Sequence, residues 1–406
     1  MKKYLFILLA LLCASPMLAQ TEIEDNDSIL TLPSDSLPWP QNIQARIDSL
    51  LEHPMFQQST VGLMVYDLTT DSVIYQHNHQ QRLRPASTMK LITAIAAIDR
   101  LGSSYQLCTS LYYNGDIYDH TLWGDLYCKG SMDPLFNKDD LYAFVESLKS
   151  MGVDTIRGRI MADCSMKDTL HWGEGWCWDD DNPTLSALLV SKKDDFQNRF
   201  ISELIEGGIE LPDITLSSGR TPEAAYRLCT RTHTIGQVLE RMMKESDNLH
   251  AESVFYHLAA STGQHPATAK QASKLIEELI QRLGLNPRNY RIADGSGLSL
   301  YDYLSAELEV QMLRYAWQNK EIYYTLLPSL PIAGEDGTLE KRMRSAFTSG
   351  NVRAKTGTVT GISSLAGYCT AANGHDLCFC IINQGILRTS NGRRFQDRVC
   401  TALCQP

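Results

Sequence analysis

Ser87 and Lys90 lie three positions apart at the start of RPASTMKLITAIAAI, residues 84–98. Positions i and i+3 share one face of a helix. A serine hydroxyl is a poor nucleophile until a base removes its proton. A lysine can be that base where burial or a nearby positive charge depresses its pKa. Met89, Leu91, Ile92 and Ala94 to Ile98 make the stretch apolar on nearly all sides, so the helix is expected to be central and dry. Its N-terminal dipole adds positive potential beside Lys90 and favours a developing oxyanion. Alone, the SxxK pattern is also met by a capping serine followed by a surface lysine.

Two further stretches carry suitable groups. KESDNLHAE contains Ser246, Asp247 and Asn248. Ser246 can relay a proton and Asn248 can donate to a substrate carbonyl. The same three residue types are good helix N-caps. AKTGTVTG contains Lys355, Thr356, Gly357 and Thr358 at the start of a strand. Gly357 has no side chain, so a ligand backbone can lie against that strand as an added strand. Lys355 and the neighbouring threonine hydroxyls can hold a carboxylate. An edge strand guarded by a lysine has the same composition.

The elements around these motifs fall into an ordered series. The first 19 residues, MKKYLFILLALLCASPMLA, have two lysines, a short apolar run and small residues near their end. They read as a secretory signal peptide cleaved near Ala19–Gln20, and the run is too short for a stable membrane span. The exported, periplasmic protein would then be soluble. Residues 20–40 are acidic and rich in Pro and Ser and read as a flexible leader. Residues 61–78 show two β-rich runs around Thr70-Asp71. The helix of the first motif follows, with Pro85 near its start and Gly102 at its stop. Residues 105–225 change texture, with short aromatic strands, a tryptophan-rich loop (HWGEGWCWDDDNP) and one amphipathic helix at 194–209. They read as an inserted β-rich subdomain. Helical periodicity returns at 234–262, 266–284 and about 305–319, followed by the KTG strand, a hairpin and a final helix at about 390–404. The catalytic domain is therefore expected from 41–104 and 226–406. Its fold class is α+β, an antiparallel sheet covered by helices with both chain ends in one sheet.

Formal net charge is −10, and −12 once Lys2 and Lys3 leave with the leader. Nucleic acid demands a basic face and is excluded as a partner. Eleven cysteines, ten without Cys13, suit an exported protein that can form disulfides. In LAGYCTAANGHDLCFC, a two-residue Asn373-Gly374 turn puts Cys369 opposite Cys378. That pair reads either as a bridge or as two small buried apolar residues. Metal chemistry is not indicated. CxxC pairs are absent, the histidines are scattered, and His77 and His79 read as strand-and-turn surface.

S-x-x-K, S-D-N and K-T-G in this order resemble the signature of serine β-lactamases and penicillin-binding proteins. The interval from Ser87 to Ser246, 159 positions, resembles that of the class C low-molecular-mass penicillin-binding proteins, the D-Ala-D-Ala carboxypeptidase/endopeptidases. GDLYCKGSMDPLF, GRIMADCS, GWCWDDDNP, ADGSGLS and PIAGEDGTLEKRM are similar to that family too. Three departures stand out. The insertion is shorter than in the longer members, Ser131 and Met132 interrupt a glycine-rich run, and Leu300 stands where a basic residue is usual. The resemblance implies that Ser87 attacks the carbonyl of a D-Ala-D-X bond and that Lys90 takes its proton. It implies an oxyanion hole from the backbone N–H groups of Ser87 and Thr358. Ser246, with Lys355, would pass a proton to the leaving amine, and Asn248 and Asp247 would position substrate. Lys355, Thr356 and Thr358 would bind the terminal carboxylate beside Gly357. Peptidoglycan stem peptides and cross-links are the implied partners, β-lactams the implied covalent ligands, and no metal or organic cofactor is needed. A β-lactamase would need a dedicated water-activating residue, which the motifs do not supply. A penicillin-sensing scaffold would not need every one of these groups intact. A Ser-His-Asp esterase would carry a G-x-S-x-G elbow, which does not occur.

Overall fold

The computed structural model describes residues 37–406. The expected signal peptide, and the leader up to residue 36, lie outside the described residues. No helix among the described residues is long and apolar enough to cross a membrane.

The chain begins with α1 (Gln41–Leu51), β1 (Thr60–Asp67), β2 (Ser72–His77) and α2 (Met89–Leu101). A second region follows with β3 (Gln106–Tyr118), β4 (Thr121–Lys129), α3 (Lys138–Ser150), β5 (Thr155–Arg157), β6 (Arg159–Asp163), α4 (Phe196–Glu206), β7 (Thr215–Ser218) and β8 (Tyr226–Thr234). The chain then returns with α5 (Ile235–Lys244), α6 (Asn248–Ala260), α7 (Ala269–Arg282), α8 (Ala306–Gln318), α9 (Lys320–Leu326), β9 (Arg353–Val359), β10 (Ile362–Thr370), β11 (Asp376–Gln384) and α10 (Thr389–Cys404).

The first sheet has the order β2-β1-β11-β10-β9 and is antiparallel throughout. Its strands alternate between two cores with the period of two that a sheet imposes. Met64 and Tyr66 of β1 and Cys378, Cys380 and Ile382 of β11 face the core containing α2 and α5 to α8. Leu63, Val65, Leu377, Phe379 and Ile381 face the core built with α1 and α10. The α+β class and the joining of both chain ends in one sheet are as expected.

The six-stranded second sheet, β7-β6-β4-β3-β8 with β5 beside β4, packs on α3 and α4. It runs past residue 225, because β8 pairs along β3 from Gln106↔Thr234 to Tyr113↔Tyr226. The strand is polar and half exposed, so its sequence carries no core signal. It passes straight into α5, whose N-cap Thr234 accepts from Gln237 N–H.

The hairpin register corrects one expectation. The Ala371 N–H donates to the His375 carbonyl at 2.8 Å, and three residues lie between them. Gly374 takes the positive φ, +85°, that such a three-residue loop needs. Cys369 therefore faces Leu377, and Cys378 faces Tyr368. One residue of slip puts the two thiols on opposite faces of the sheet, so they form no bridge. Both are free thiols, Cys369 in the core with α10 and Cys378 in the core with α8. The reading as small buried apolar residues is the correct one.

Candidate active site

The three motifs meet where the α2 N-terminus abuts β9. Ser87 sits in a short 3-10 turn, Ala86–Thr88, that leads into α2. All of α2 from Met89 to Ile98 is buried. Ala86 adopts φ +50°, a conformation that costs an alanine about 1 kcal/mol or more. Three contacts hold the turn. The Pro85 carbonyl accepts from Ser364 Oγ at 2.5 Å and from Thr88 Oγ1 at 2.9 Å. A Cβ on Gly357 would lie 2.8 Å from the Pro85 oxygen and 2.9 Å from Ser87 N. The glycine of the KTG motif is thus the residue that lets β9 lie against Ser87.

Lys90 is wholly buried. Its Nζ lies 3.0 Å from Ser87 Oγ, 2.8 Å from Asn248 Oδ1 and 2.7 Å from the Ser296 carbonyl. Two of those partners are carbonyl oxygens, which only accept. A neutral amine gives its two N–H groups to them and turns its lone pair to the Ser87 hydroxyl. Burial pulls the Lys90 ammonium down to about 8, against the opposing charges of Asp294, Glu252, Asp247 and Asp302.

Asn248 is the first residue of α6. The helical run expected across 234–262 is broken just before it. Ser246 takes φ +59°, and Asp247 caps α6 by accepting from His250 N–H. The kink aims Ser246 Oγ at Lys355, 2.8 Å away. Lys355 also donates to the Thr356 carbonyl at 2.6 Å and is fully buried. Burial, then the charge of Lys90, hold its ammonium well below the usual lysine range. The Asp247 carboxylate turns instead to Lys192 of the insertion and to Arg241 at 3.7 Å. Burial works to raise it, but His250 and Lys192 outweigh that and keep it below the usual carboxylate range. Thr356 Oγ1 bonds Thr338 Oγ1 at 2.8 Å. Thr358 Oγ1 accepts from Arg393 Nη2 at 3.4 Å.

A fourth segment completes the site. ADGSGLS, residues 293–299, wraps around the Asp294 carboxylate. That carboxylate accepts from the N–H groups of Ser296 (3.0 Å), Gly297 (2.7 Å) and Ser299 (2.8 Å). Trp176 of the insertion donates its indole N–H to Asp294 at 2.7 Å. Gly297, at φ +78°, lies so close to the Ala86 carbonyl that a Cβ there would be 1.8 Å from the oxygen. This approach carries the Ser296 carbonyl to Lys90. Beneath the loop, Glu252 accepts from Gly295 N–H at 3.0 Å. Burial, then the Asp294 charge, push Glu252 up to about 8.

Glu309 of α8 supports the Ser87 turn from below. Thr88 Oγ1 lies 2.6 Å from its Oε1 and 2.9 Å from the Pro85 carbonyl. One hydroxyl has one proton. Thr88 donates it to Glu309 or to the Pro85 carbonyl, and a protonated Glu309 would relieve that competition by donating in return. Burial raises its pKa to about 7, against 4.3 to 4.5 in an unfolded chain. The folded protein therefore binds one more proton between those values, and stability falls as pH rises from about 4.5 to 7, by about 3 kcal/mol at most. Glu309→Gln keeps a donor for Thr88. Thermal unfolding at pH 5 and pH 8 should show a smaller pH-dependent loss in the variant than in the wild type. An equal loss in both would place the titration elsewhere.

Among the described residues no group of three His, Cys, Asp or Glu side chains is arranged to hold a metal.

The profile of the D-Ala-D-Ala carboxypeptidase 3 (S13) family matches residues 43–192 and 181–404. The chain belongs to that family. The chain is similar to the D-alanyl-D-alanine carboxypeptidase DacB of Haemophilus influenzae, 26% identical, with 87% of this chain and 90% of the relative covered. The D-alanyl-D-alanine carboxypeptidase of Actinomadura sp. is 28% identical over 84% of this chain and 80% of its own. The crystal structure of penicillin-binding protein 4 from Haemophilus influenzae superposes with a TM-score of 0.79 at 23% identity, covering 89% of this chain and 99% of that one. The S13 fold is thus carried over nearly the whole described chain.

Proposed function

We propose that this chain is a periplasmic serine D-Ala-D-Ala carboxypeptidase/endopeptidase that cleaves peptidoglycan peptides through an acyl-enzyme on Ser87. Membership of the S13 family supports the reaction class. The observation that carries the residue assignment is the placement of Lys90, with two carbonyl acceptors on its N–H groups and Ser87 Oγ left for its lone pair.

The substrate's D-Ala-D-X end lies as an added strand along β9, whose outer edge carries no further strand of the sheet beyond the bridge of Arg353 to Ile332. Neutral Lys90 takes the Ser87 proton while Oγ attacks the carbonyl of the penultimate residue. The N–H groups of Ser87 and Thr358 receive the developing oxyanion, each such donor contributing about 3 kcal/mol or more to transition-state stabilisation. Ser246, bonded to Lys355, relays to the departing amine the proton that Lys90 took, which leaves Lys90 neutral again. Water then attacks the acyl-enzyme with Lys90 again as base. Asn248 orients both Lys90 and the acyl carbonyl. Asp247 acts at one remove, by capping α6 and so fixing Asn248. A β-lactam follows the first half of this path and stays on Ser87. A related Haemophilus influenzae structure holds a β-lactam.

Purified protein incubated with diacetyl-L-Lys-D-Ala-D-Ala should release free D-alanine and lose that activity after pretreatment with penicillin. Cross-linked muropeptides followed by mass spectrometry measure the endopeptidase share. Stoichiometric penicillin labelling with no D-alanine released from any peptide would turn the reading to a penicillin sensor. Sustained turnover of a chromogenic cephalosporin would turn it to a β-lactamase.

A further inference from the structure

The terminal carboxylate of the substrate needs a positive partner, and neither lysine of the site is placed to supply one. Lys90 is buried beneath Ser87. Lys355 is buried and its ammonium faces Ser246 and a main-chain carbonyl. The geometry points to Arg393, on the first turns of α10, as the residue that reads the free carboxylate of the departing D-amino acid. This rests on the carboxypeptidase reading above.

Several contacts bring Arg393 to the strand. Thr358 pairs with Ser363 in the β9–β10 ladder. Gly392 packs onto Ser363 so closely that a Cβ on it would lie 2.9 Å from the serine Cβ. The next residue, Arg393, therefore starts beside Thr358, and its Nη2 reaches Thr358 Oγ1 at 3.4 Å. The turn is fixed from behind. Arg342 donates to the Arg393 carbonyl at 3.3 Å and pairs with Asp397 one helical turn on, at 2.6 Å. Gln396 bonds Ser363 and Asn383 at 3.0 and 3.2 Å. Arg393 itself is exposed, so its guanidinium stands in water at the rim of β9. An incoming carboxylate meets the Thr358 hydroxyl and a planar cation side by side, the arrangement that suits bidentate recognition.

Acid-over-amide selectivity tests this. The probes are diacetyl-L-Lys-D-Ala-D-Ala and the same tripeptide ending in a carboxamide. Wild type should prefer the acid. In Arg393→Ala the acid-to-amide ratio of kcat/KM should fall about 30-fold, and in Arg393→Lys by less, since the point charge stays and the fork is lost. The side chain is exposed, so the melting temperature of Arg393→Ala should match the wild type and certify its fold. An acid-to-amide ratio within about twofold of wild type in Arg393→Ala would overturn the assignment, as would a wild type that cleaves both peptides equally. A wild type that cleaves neither peptide and takes up no penicillin would instead remove the carboxypeptidase reading, and this inference with it.

Discussion

Ser87→Ala should take up no fluorescent penicillin and release almost no D-alanine, with kcat lowered about 10⁶-fold, the size of loss seen when an acyl-forming serine is removed. The reason is geometric. Among the described residues Ser87 Oγ is the one hydroxyl hydrogen-bonded to the Lys90 amine, at 3.0 Å, and it stands where Gly357 brings β9 against its own backbone N–H. Alanine keeps the turn, because the bonds that hold it run through Pro85, Ser364, Thr88 and Glu309. The variant should therefore melt near the wild-type temperature. Gel fluorescence after penicillin labelling, read beside the melting curve, separates a lost nucleophile from a lost fold. Labelling at the wild-type level would mean that another side chain carries the acyl group.

The second large effect is at Lys90. Lys90→Met keeps an unbranched side chain of similar length in a dry site but removes the base, and acylation by penicillin should slow about 10³-fold. The wild-type acylation rate should itself depend on pH. Lys90 must be neutral to act, and burial sets its pKa at about 8. The rate therefore climbs as pH rises from 6 through 8 and levels above that, and the methionine variant lacks the climb. Stopped-flow acylation between pH 6 and 9.5 gives both curves. A wild-type profile that is flat across this range would assign the proton transfer to a different group.

The parts of the site that were legible are those whose chemistry is written in side chains at short spacing. Ser87 and Lys90 declare themselves by i, i+3 placement on an apolar helix, and Gly357 by an absent side chain on a strand. The support was less legible because much of it is main chain. Ser296 contributes a carbonyl, which any residue has, and only the glycine-rich texture of ADGSGLS marks its loop. Asp294 reads as a turn residue, yet its carboxylate gathers three backbone N–H groups and an indole from 118 positions away. Glu309 lies two positions after Glu307 in AELEV, where acidic and apolar residues alternate, and looks like surface until the fold buries it against Thr88. Arg393 is one of many arginines, and only the contact of Gly392 with Ser363 brings it to β9. The hairpin misreading has the same origin. Asn-Gly marks a turn in the right place, but the choice between two and three loop residues is made by the strands' packing, and one residue decides which face each cysteine sees.

The order β2-β1-β11-β10-β9 has a consequence for when the enzyme can exist. β1 is among the earliest strands made and β11 the last, yet Thr60 must find Gln384 along the whole register. The turn bearing Ser87 and the strand bearing Lys355 are likewise drawn from opposite ends of the chain. Contacts this distant form late and slowly. A nascent chain therefore holds no assembled hydrolase, and activity begins only after the last strands have been made and paired.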